Sequence, residues 1–135
     1  MTALPAGDRP QGGLAGKRIL IVDDQEDIRL LLRLALEPLG GELLAACNGR
    51  EAIELAGRFR PDFVILDVMM PGGIDGYQVC LALRDDPASA QACIILLSAR
   101  GQQGDIEAGK QAGADHYLLK PFSPLALCEV ILRTQ

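Results

Sequence analysis

The sequence predicts an α/β fold in which five strands form a parallel sheet with helices on both faces. Short, wholly apolar runs alternate with longer amphipathic runs, and this pair of patterns repeats five times along the chain. The apolar runs, such as residues 19–22 and 94–97, do not alternate polar with apolar residues, which is typical of strands buried on both faces. A chain of 135 residues holds one hydrophobic core and is too short for two ordinary domains. We therefore expect one doubly wound domain.

The first half of the chain predicts a tail, three strands and two helices. Residues 1–16 contain glycine and proline without a periodic apolar pattern, so we expect a flexible N-terminal tail and a folded domain over residues 17–135. The elements that follow are predicted, in chain order, as a strand at Arg18–Val22, a helix at Glu26–Leu39, a strand at Glu42–Ala46, a helix at Arg50–Phe59 and a strand at Phe63–Leu66.

The second half predicts three helices and two strands. In chain order they are a helix near Tyr77–Arg84, a strand at Cys93–Leu97, a helix near Asp105–Ala112, a strand at His116–Leu119 and a last helix from Pro124. Ser123 before Pro124 is typical of a helix start, and Gly113 of a helix end. Gly101, Gly104 and Gly109 each weaken the fourth helix by about 1 kcal/mol relative to alanine, so we expect it to be mobile.

Composition excludes several classes of function. No apolar stretch approaches the roughly 18 residues that span a bilayer, and the N-terminus lacks the apolar segment of a signal peptide, so we expect a cytoplasmic protein. A formal net charge of −5 opposes direct binding of nucleic acid or anionic lipid. The four cysteines are far apart and accompanied by one histidine, which favours buried apolar roles over a metal site.

A polar side chain follows four of the five predicted strands, at the point where each strand ends. The carboxyl ends of parallel strands lie along one edge, where ligands bind, so we expect these side chains to converge. They are Asp23 and Asp24, Asp67, Ser98 and Lys120. Three carboxylates with one lysine favour a bound cation, and an oxygen-only set favours Mg²⁺, with Mn²⁺ as a substitute.

This set of residues can perform phosphoryl transfer to a carboxylate. With a divalent cation bound, Asp67 on the central strand is the best nucleophile for phosphorus, while Lys120 and Ser98 neutralise and hydrogen-bond the phosphoryl oxygens. Taken singly, an aspartate after a strand is usually a turn or cap residue, and Lys120 before Pro121 is usually a strand end. Their joint placement at one edge favours the catalytic interpretation.

Four segments carry a family resemblance: I-L-I-V-D-D from residue 19, F-V-I-L-D-V-M-M-P from residue 63, S-A at residues 98–99 and Y-L-L-K-P-F from residue 117. Over residues 18 to about 133 the chain resembles the response-regulator receiver domains of two-component signalling, including chemotaxis regulators. The resemblance implies a flavodoxin-like sheet in the order 2-1-3-4-5. It also implies a phosphoprotein that catalyses its own phosphorylation and dephosphorylation, and not an enzyme with a separate substrate.

The resemblance implies a role for each residue of the site. Asp67 would be the phosphoacceptor. The Mg²⁺ ligands would be Asp24 and Asp67 directly, Asp23 through water, and the backbone carbonyl of Met69.

The same resemblance implies a switch. Ser98 would be the switch hydroxyl that moves to the phosphate, Lys120 would bind the phosphate and Tyr117 would turn inward on activation. Pro121 would follow a cis peptide bond.

The implied partners are a phosphohistidine donor and a target. The donor would be a sensor histidine kinase or a histidine phosphotransfer protein, with small phosphodonors as substitutes. An output domain or target protein would bind the face formed by helix 4, strand 5 and helix 5. The cognate kinase, the pathway, the output, the phosphate lifetime and the oligomeric state, including a homodimer, are not specified by the sequence. Neither is whether the chain acts alone or is a piece of a larger protein.

The sequence departs from the family pattern in one loop. Between Pro71 and Asp75 stand Gly72, Gly73 and Ile74, one residue more than usual. This puts the geometry of the loop in doubt, although two glycines can accommodate an extra residue without strain.

Three other functions compete with the receiver interpretation. An aspartate-nucleophile phosphatase of the haloacid-dehalogenase type usually needs D-x-D, whereas Met69 stands two residues after Asp67. A flavodoxin-type module needs a phosphate-binding loop after strand 1, where this chain is acidic. A pseudo-receiver, which binds partners without being phosphorylated, remains the third alternative.

Overall fold

The structure, a computed structural model, describes residues 12–134 and contains a five-stranded sheet with α-helices between the strands. The elements are β1 Arg18–Val22, α1 Glu26–Leu36, β2 Glu42–Ala46, α2 Gly49–Phe59, β3 Phe63–Asp67, α3 Gly76–Asp85, β4 Cys93–Ser98, α4 Gln103–Gln111, β5 His116–Leu119 and α5 Pro124–Thr134. All strand pairs are parallel, in the order β2-β1-β3-β4-β5. The predicted fold class is confirmed.

Two hydrophobic cores cover the two faces of the sheet. Alternate residues of β3 divide between them, with Val64 and Leu66 facing α2 and α3, and Ile65 facing α1 and α5. Every residue of β3 is buried, because helices lie on both sides of it. This double burial explains the unbroken apolar runs in the sequence. Within residues 12–134, none of the helices combines the length and apolarity that crossing a membrane requires.

The first helix ends earlier than the sequence predicted. The α-helical part stops at Leu36, and a 3₁₀ turn at Glu37–Leu39 follows, closed by Gly40 with a φ of 85°. Pro38 has no backbone N–H to donate to the preceding turn, so the α-helix cannot continue through it. The predicted helix at Glu26–Leu39 therefore combined an α-helix with the 3₁₀ turn that follows it.

Residues 12–16 belong to the fold, which corrects the predicted boundary at residue 17. The side chain of Leu14 is fully buried, and its N–H donates to the carbonyl of Leu39 at 2.9 Å. The N–H of Gly12 donates to the carbonyl of Pro38 at 2.8 Å. One buried leucine among glycines produces no periodic pattern, so the sequence did not reveal this packing. Residues 1–11 lie outside the described part, and their predicted flexibility remains a prediction.

The sequence predicted that all four cysteines are buried, and the structure contradicts this for one of them. Cys80 and Cys128 are buried and Cys93 is partly buried, but Cys47 is exposed in the loop after the edge strand β2. Burial raises the pKa of Cys80 and of Cys93 to about 11. These two thiols therefore stay protonated at neutral pH and pack as small apolar groups.

Candidate functional site

Three carboxylates meet at the carboxyl edge of the sheet. Asp67 ends β3, and Asp23 and Asp24 follow β1, which pairs with β3 in parallel register. One carboxylate oxygen from each residue lies within 4.8 Å of the others. Asp23 and Asp67 are buried, with 0% and 4% of their surface exposed, whereas Asp24 is exposed. The structure thus brings the three predicted acidic residues together and leaves one side of the cluster open to solvent.

Lys120 provides the positive charge of this cluster. It follows β5, and its ammonium lies 3.0 Å from Oδ2 of Asp23 and 3.1 Å from Oδ1 of Asp67. Its backbone N–H donates to the carbonyl of Ser98 at 2.8 Å, and the peptide bond to Pro121 is cis. The side chain therefore reaches from the edge strand past the end of β4 to the two buried carboxylates.

Burial and neighbouring charges shift the pKa values of both Asp67 and Lys120. Burial and, after it, the negative charge of Asp23 raise the pKa of Asp67, although Lys120 acts in the opposite direction. Burial alone would lower the pKa of Lys120, but its hydrogen bonds to Asp23 and Asp67 raise it above its ordinary value. The lysine therefore stays charged, and the site still favours additional positive charge.

The donor set fits a hard divalent cation. The clustered atoms are carboxylate oxygens, without sulfur or nitrogen ligands, which suits Mg²⁺. The open side at Asp24 leaves room for the water ligands that Mg²⁺ usually keeps. The residues that would hold the ion are Asp23, Asp24 and Asp67.

The two predicted switch side chains meet at the backbone of Arg100, in the loop after β4. Ser98 is buried, and its hydroxyl accepts a hydrogen bond from the N–H of Arg100 at 3.0 Å. The hydroxyl of Tyr117 donates to the carbonyl of Arg100 at 2.9 Å. Ser98 thus lies at the same edge as the carboxylates, while its hydroxyl is engaged with the loop.

The sequence from residue 19 to residue 132 matches the response regulator receiver domain. This chain belongs to that family. Its curated relatives include the alkaline phosphatase synthesis transcriptional regulatory protein PhoP of Bacillus subtilis (strain 168), which is 42% identical over 108 residues, covering 80% of this chain and 44% of that protein. The chain spans less than half the length of the curated relatives that it matches.

Solved structures of receiver domains superpose closely on this one. The chemotaxis protein CheY4 of Vibrio cholerae has a TM-score of 0.83 at 32% identity, over 90% of this chain and 99% of that chain. The receiver domain of the sensor histidine kinase PA1611 from Pseudomonas aeruginosa PAO1 has a TM-score of 0.80 at 33% identity, over 88% of this chain and 97% of that chain. That receiver domain carries a magnesium ion coordinated in its active-site cleft.

The loop after Asp67 in this receiver domain depends on three glycines. Gly72 and Gly73 have φ values of 100° and 94°, a region that other residues rarely adopt, so they accommodate the extra residue of the loop. Gly76 starts α3 directly against the end of β3, where an added Cβ would lie 2.7 Å from Cα of Val68. The side chain of Met69 points to solvent, being 51% exposed. Its backbone carbonyl remains a predicted metal ligand.

Two residues near the site of the receiver domain were missed from the sequence. Arg29, in the first turn of α1, donates from its guanidinium to the carbonyl of Asp23 at 2.8 Å. Tyr77, in the first turn of α3, donates to the carbonyl of Asp105 at 3.1 Å. Both lie in the first turn of a helix that follows an aspartate-bearing loop. That position is the one signal that could have indicated them.

Proposed function

We propose that this receiver domain is the phosphoacceptor of a two-component phosphorelay and that Asp67 takes the phosphoryl group from a phosphohistidine. The observation that supports this most directly is the placement of Asp67. It is a buried carboxylate at the carboxyl edge of the sheet, 3.1 Å from the ammonium of Lys120 and clustered with Asp23 and Asp24. This combination provides a nucleophile, a fixed positive charge and a cation site in one place.

The transfer is a displacement at phosphorus. The nucleophile is a carboxylate oxygen of Asp67, whose Oδ1 lies 3.1 Å from the ammonium of Lys120. As the new O–P bond forms, the P–N bond of the phosphohistidine breaks, and its electron pair returns to the imidazole, which takes up a proton. Lys120 and the hydroxyl of Ser98 then neutralise and hydrogen-bond the phosphoryl oxygens. Dephosphorylation is the attack of water on the same phosphorus, which releases inorganic phosphate and restores the carboxylate of Asp67.

The proposed cofactor is Mg²⁺, with Mn²⁺ as a substitute. When bound, Mg²⁺ neutralises charge on the transferred phosphoryl group and on the carboxylates. The direct ligands would be Asp24, Asp67 and the carbonyl of Met69, and Asp23 would act through water. Burial and, after it, the charge of Asp23 raise the pKa of Asp67, which supports this assignment, as does the magnesium ion in the receiver domain of PA1611.

The proposed donor is a histidine kinase or a histidine phosphotransfer protein in the cytoplasm. Helix α1 begins two residues after Asp24 and exposes Leu30, Leu31 and Leu34, which provides an apolar surface beside the acidic site for a protein donor. The proposed output surface is formed by α4, β5 and α5, where Tyr117 would report the state of Ser98. PhoP and other relatives are transcriptional regulators, which is consistent with an output domain elsewhere.

The proposal is tested by phosphorylation with acetyl phosphate and with phosphoramidate, in the presence of Mg²⁺. We expect one added phosphoryl group by intact mass, removable by hydroxylamine, as an acyl phosphate must be. Asp67→Asn should abolish it. The matched control is Asp85→Asn, which changes an exposed aspartate at the end of α3 and should leave the adduct intact.

Two outcomes would contradict the proposal. One is an adduct that persists in Asp67→Asn. The other is the absence of any adduct with both small donors and with a phosphorylated histidine kinase, which would favour a pseudo-receiver that acts by binding alone.

A further inference from the structure

The two tyrosines of the chain form a pair whose hydroxyl oxygens lie 3.3 Å apart. Tyr77 stands on α3 and Tyr117 on β5. The hydroxyl of Tyr117 also donates to the carbonyl of Arg100 at 2.9 Å, and that of Tyr77 to the carbonyl of Asp105 at 3.1 Å. One small cluster thus joins α3, β5, the loop after β4 and the first turn of α4.

Counting protons shows what Tyr77 contributes to this cluster. Two hydroxyl protons serve three contacts, and the two carbonyls can only accept. Since the proton of Tyr117 goes to Arg100, the proton of Tyr77 is shared between the carbonyl of Asp105 and the oxygen of Tyr117. Burial and, after it, the hydrogen bond with Tyr117 raise the pKa of Tyr77, so its hydroxyl keeps this proton at neutral pH. Tyr77 therefore bridges Tyr117 to α4.

The absence of a side chain at Gly109 in α4 leaves space for the ring of Tyr117. Gly109 is buried, and a Cβ added to it would lie 2.9 Å from Cδ2 of Tyr117 and 3.1 Å from Cδ1 of Leu96. Any larger residue would displace the ring or the helix. A glycine weakens the middle of a helix, and this close packing is the physical reason for one at residue 109.

The tyrosine pair is connected to the acidic edge through one residue. The N–H of Arg100 donates to the hydroxyl of Ser98 at 3.0 Å, while its carbonyl accepts from Tyr117. If the hydroxyl of Ser98 leaves Arg100 for a phosphoryl group, the loop that holds Tyr117 loses one of its anchors. The contact with Tyr77 involves neither Ser98 nor Arg100, so it remains.

We propose that Tyr77 is a positioning residue of the switch, whose hydroxyl holds Tyr117 inward against α4 before any phosphorylation. The surface formed by α4 and β5 is then preset in the phosphate-free domain, and phosphorylation shifts an equilibrium that already favours the inward ring. This inference rests on the proposed function, because the ring position matters as a signal only if Asp67 is phosphorylated.

The test uses ¹⁹F NMR of the protein labelled with 3-fluorotyrosine. With two tyrosines in the sequence, the spectrum contains two signals, which Tyr77→Phe and Tyr117→Phe assign. In the phosphate-free protein, Tyr77→Phe should move the Tyr117 signal and enlarge its shift between H₂O and D₂O. Loss of one hydrogen bond should lower the ratio of inward to outward rings roughly fivefold.

A second variant separates ring position from helix stability. Gly109→Ala should strengthen α4 by helix propensity and still drive the ring outward, so the Tyr117 signal should move in the same direction as in Tyr77→Phe. Leu81→Ala, at a 55% exposed position one turn further along α3, should leave the signal unchanged.

An unchanged Tyr117 signal in Tyr77→Phe would overturn the inference. A shift of the Tyr117 signal in Leu81→Ala as large as that in Tyr77→Phe would also overturn it. Intact-mass phosphorylation of the same samples tests the proposed function separately. If Tyr117 responds as expected but no sample accepts a phosphoryl group, the positioning by Tyr77 stands and the phosphorelay assignment fails.

Discussion

The two ends of the sheet use charged residues in opposite ways. At the amino end, Arg84 forms a salt bridge of 2.8 Å with Asp115 and donates to the carbonyls of Gly113, Ala90 and Ala92. Arg18 pairs there with Glu42 at 2.8 Å. At the carboxyl end, Lys120 serves two buried carboxylates of a cluster of three. Each of these two pairs matches one positive with one negative charge, whereas the cluster at the carboxyl end keeps a negative excess.

The amino end of the sheet therefore contributes to stability, and the carboxyl end forms the functional site. Paired charges whose remaining hydrogen bonds are satisfied hold α3, β4 and β5 together and require nothing from outside the molecule. Burial and the charge of Asp23 raise the pKa of Asp67, and the carboxylates left in excess favour a bound cation. The same sheet thus carries a structural end and a reactive end, and three predictions test the contrast.

The largest expected effect is at the structural end. Arg84→Ala removes one ion pair and three hydrogen bonds to carbonyls, and at about 1 kcal/mol each it should lower the free energy of unfolding by about 4 kcal/mol. Urea denaturation with and without Mg²⁺ measures this, and the loss should be the same in both. Arg133→Ala, at a side chain 81% exposed, should change stability by less than about 0.5 kcal/mol. If Mg²⁺ restored the stability lost in Arg84→Ala, the two ends of the sheet would not differ in this way.

A smaller effect is expected at the reactive end. Lys120→Met leaves Asp23 and Asp67 buried without their cation and should cost about 3 kcal/mol at pH 7 without divalent ions. Unlike the loss in Arg84→Ala, part of this loss should be recovered in millimolar Mg²⁺. Urea denaturation at both Mg²⁺ concentrations provides the comparison. If Mg²⁺ recovers nothing, the cluster does not bind the cation.

The smallest effect has the opposite sign. Burial and the charge of Asp23 raise the pKa of Asp67 in the folded state, so ionised Asp67 destabilises the fold. This cost is absent below the unfolded-state pKa and complete above the folded-state pKa. Without divalent ions, Asp67→Asn should therefore melt above the wild type at pH 7, and the difference should vanish as the pH falls towards about 4.

With Mg²⁺ bound, the wild type should melt above Asp67→Asn at pH 7. At tenfold excess over its Kd, Mg²⁺ should stabilise the wild type by about 1.4 kcal/mol and Asp67→Asn by less. Thermal melts of both proteins from pH 4 to pH 8 test the two statements together, with Asp85→Asn as the control. A lower melting temperature for Asp67→Asn at pH 7 without metal would show that Lys120 already balances the site.

Patterns within single segments predicted most of the elements. Both faces of each central strand are buried, so each apolar run in the sequence predicted its strand closely. The observed strands β3 and β4 end at Asp67 and Ser98, one residue beyond the predicted ends. The first helix was predicted three residues too long because apolar periodicity continues through Pro38, whereas the α-helix does not. Leu14 was missed because a single apolar residue has no period.

By itself, the sequence determined the fold class and the edge at which Asp23, Asp24, Asp67 and Lys120 meet. Strand polarity and periodicity are local properties, and the parallel sheet then aligns the strand ends. Only the tertiary structure decided that Tyr77 meets Tyr117, 40 residues away. Such contacts depend on how each helix lies across the sheet, which involves the packing of many side chains at once. No pattern within a single segment records that packing.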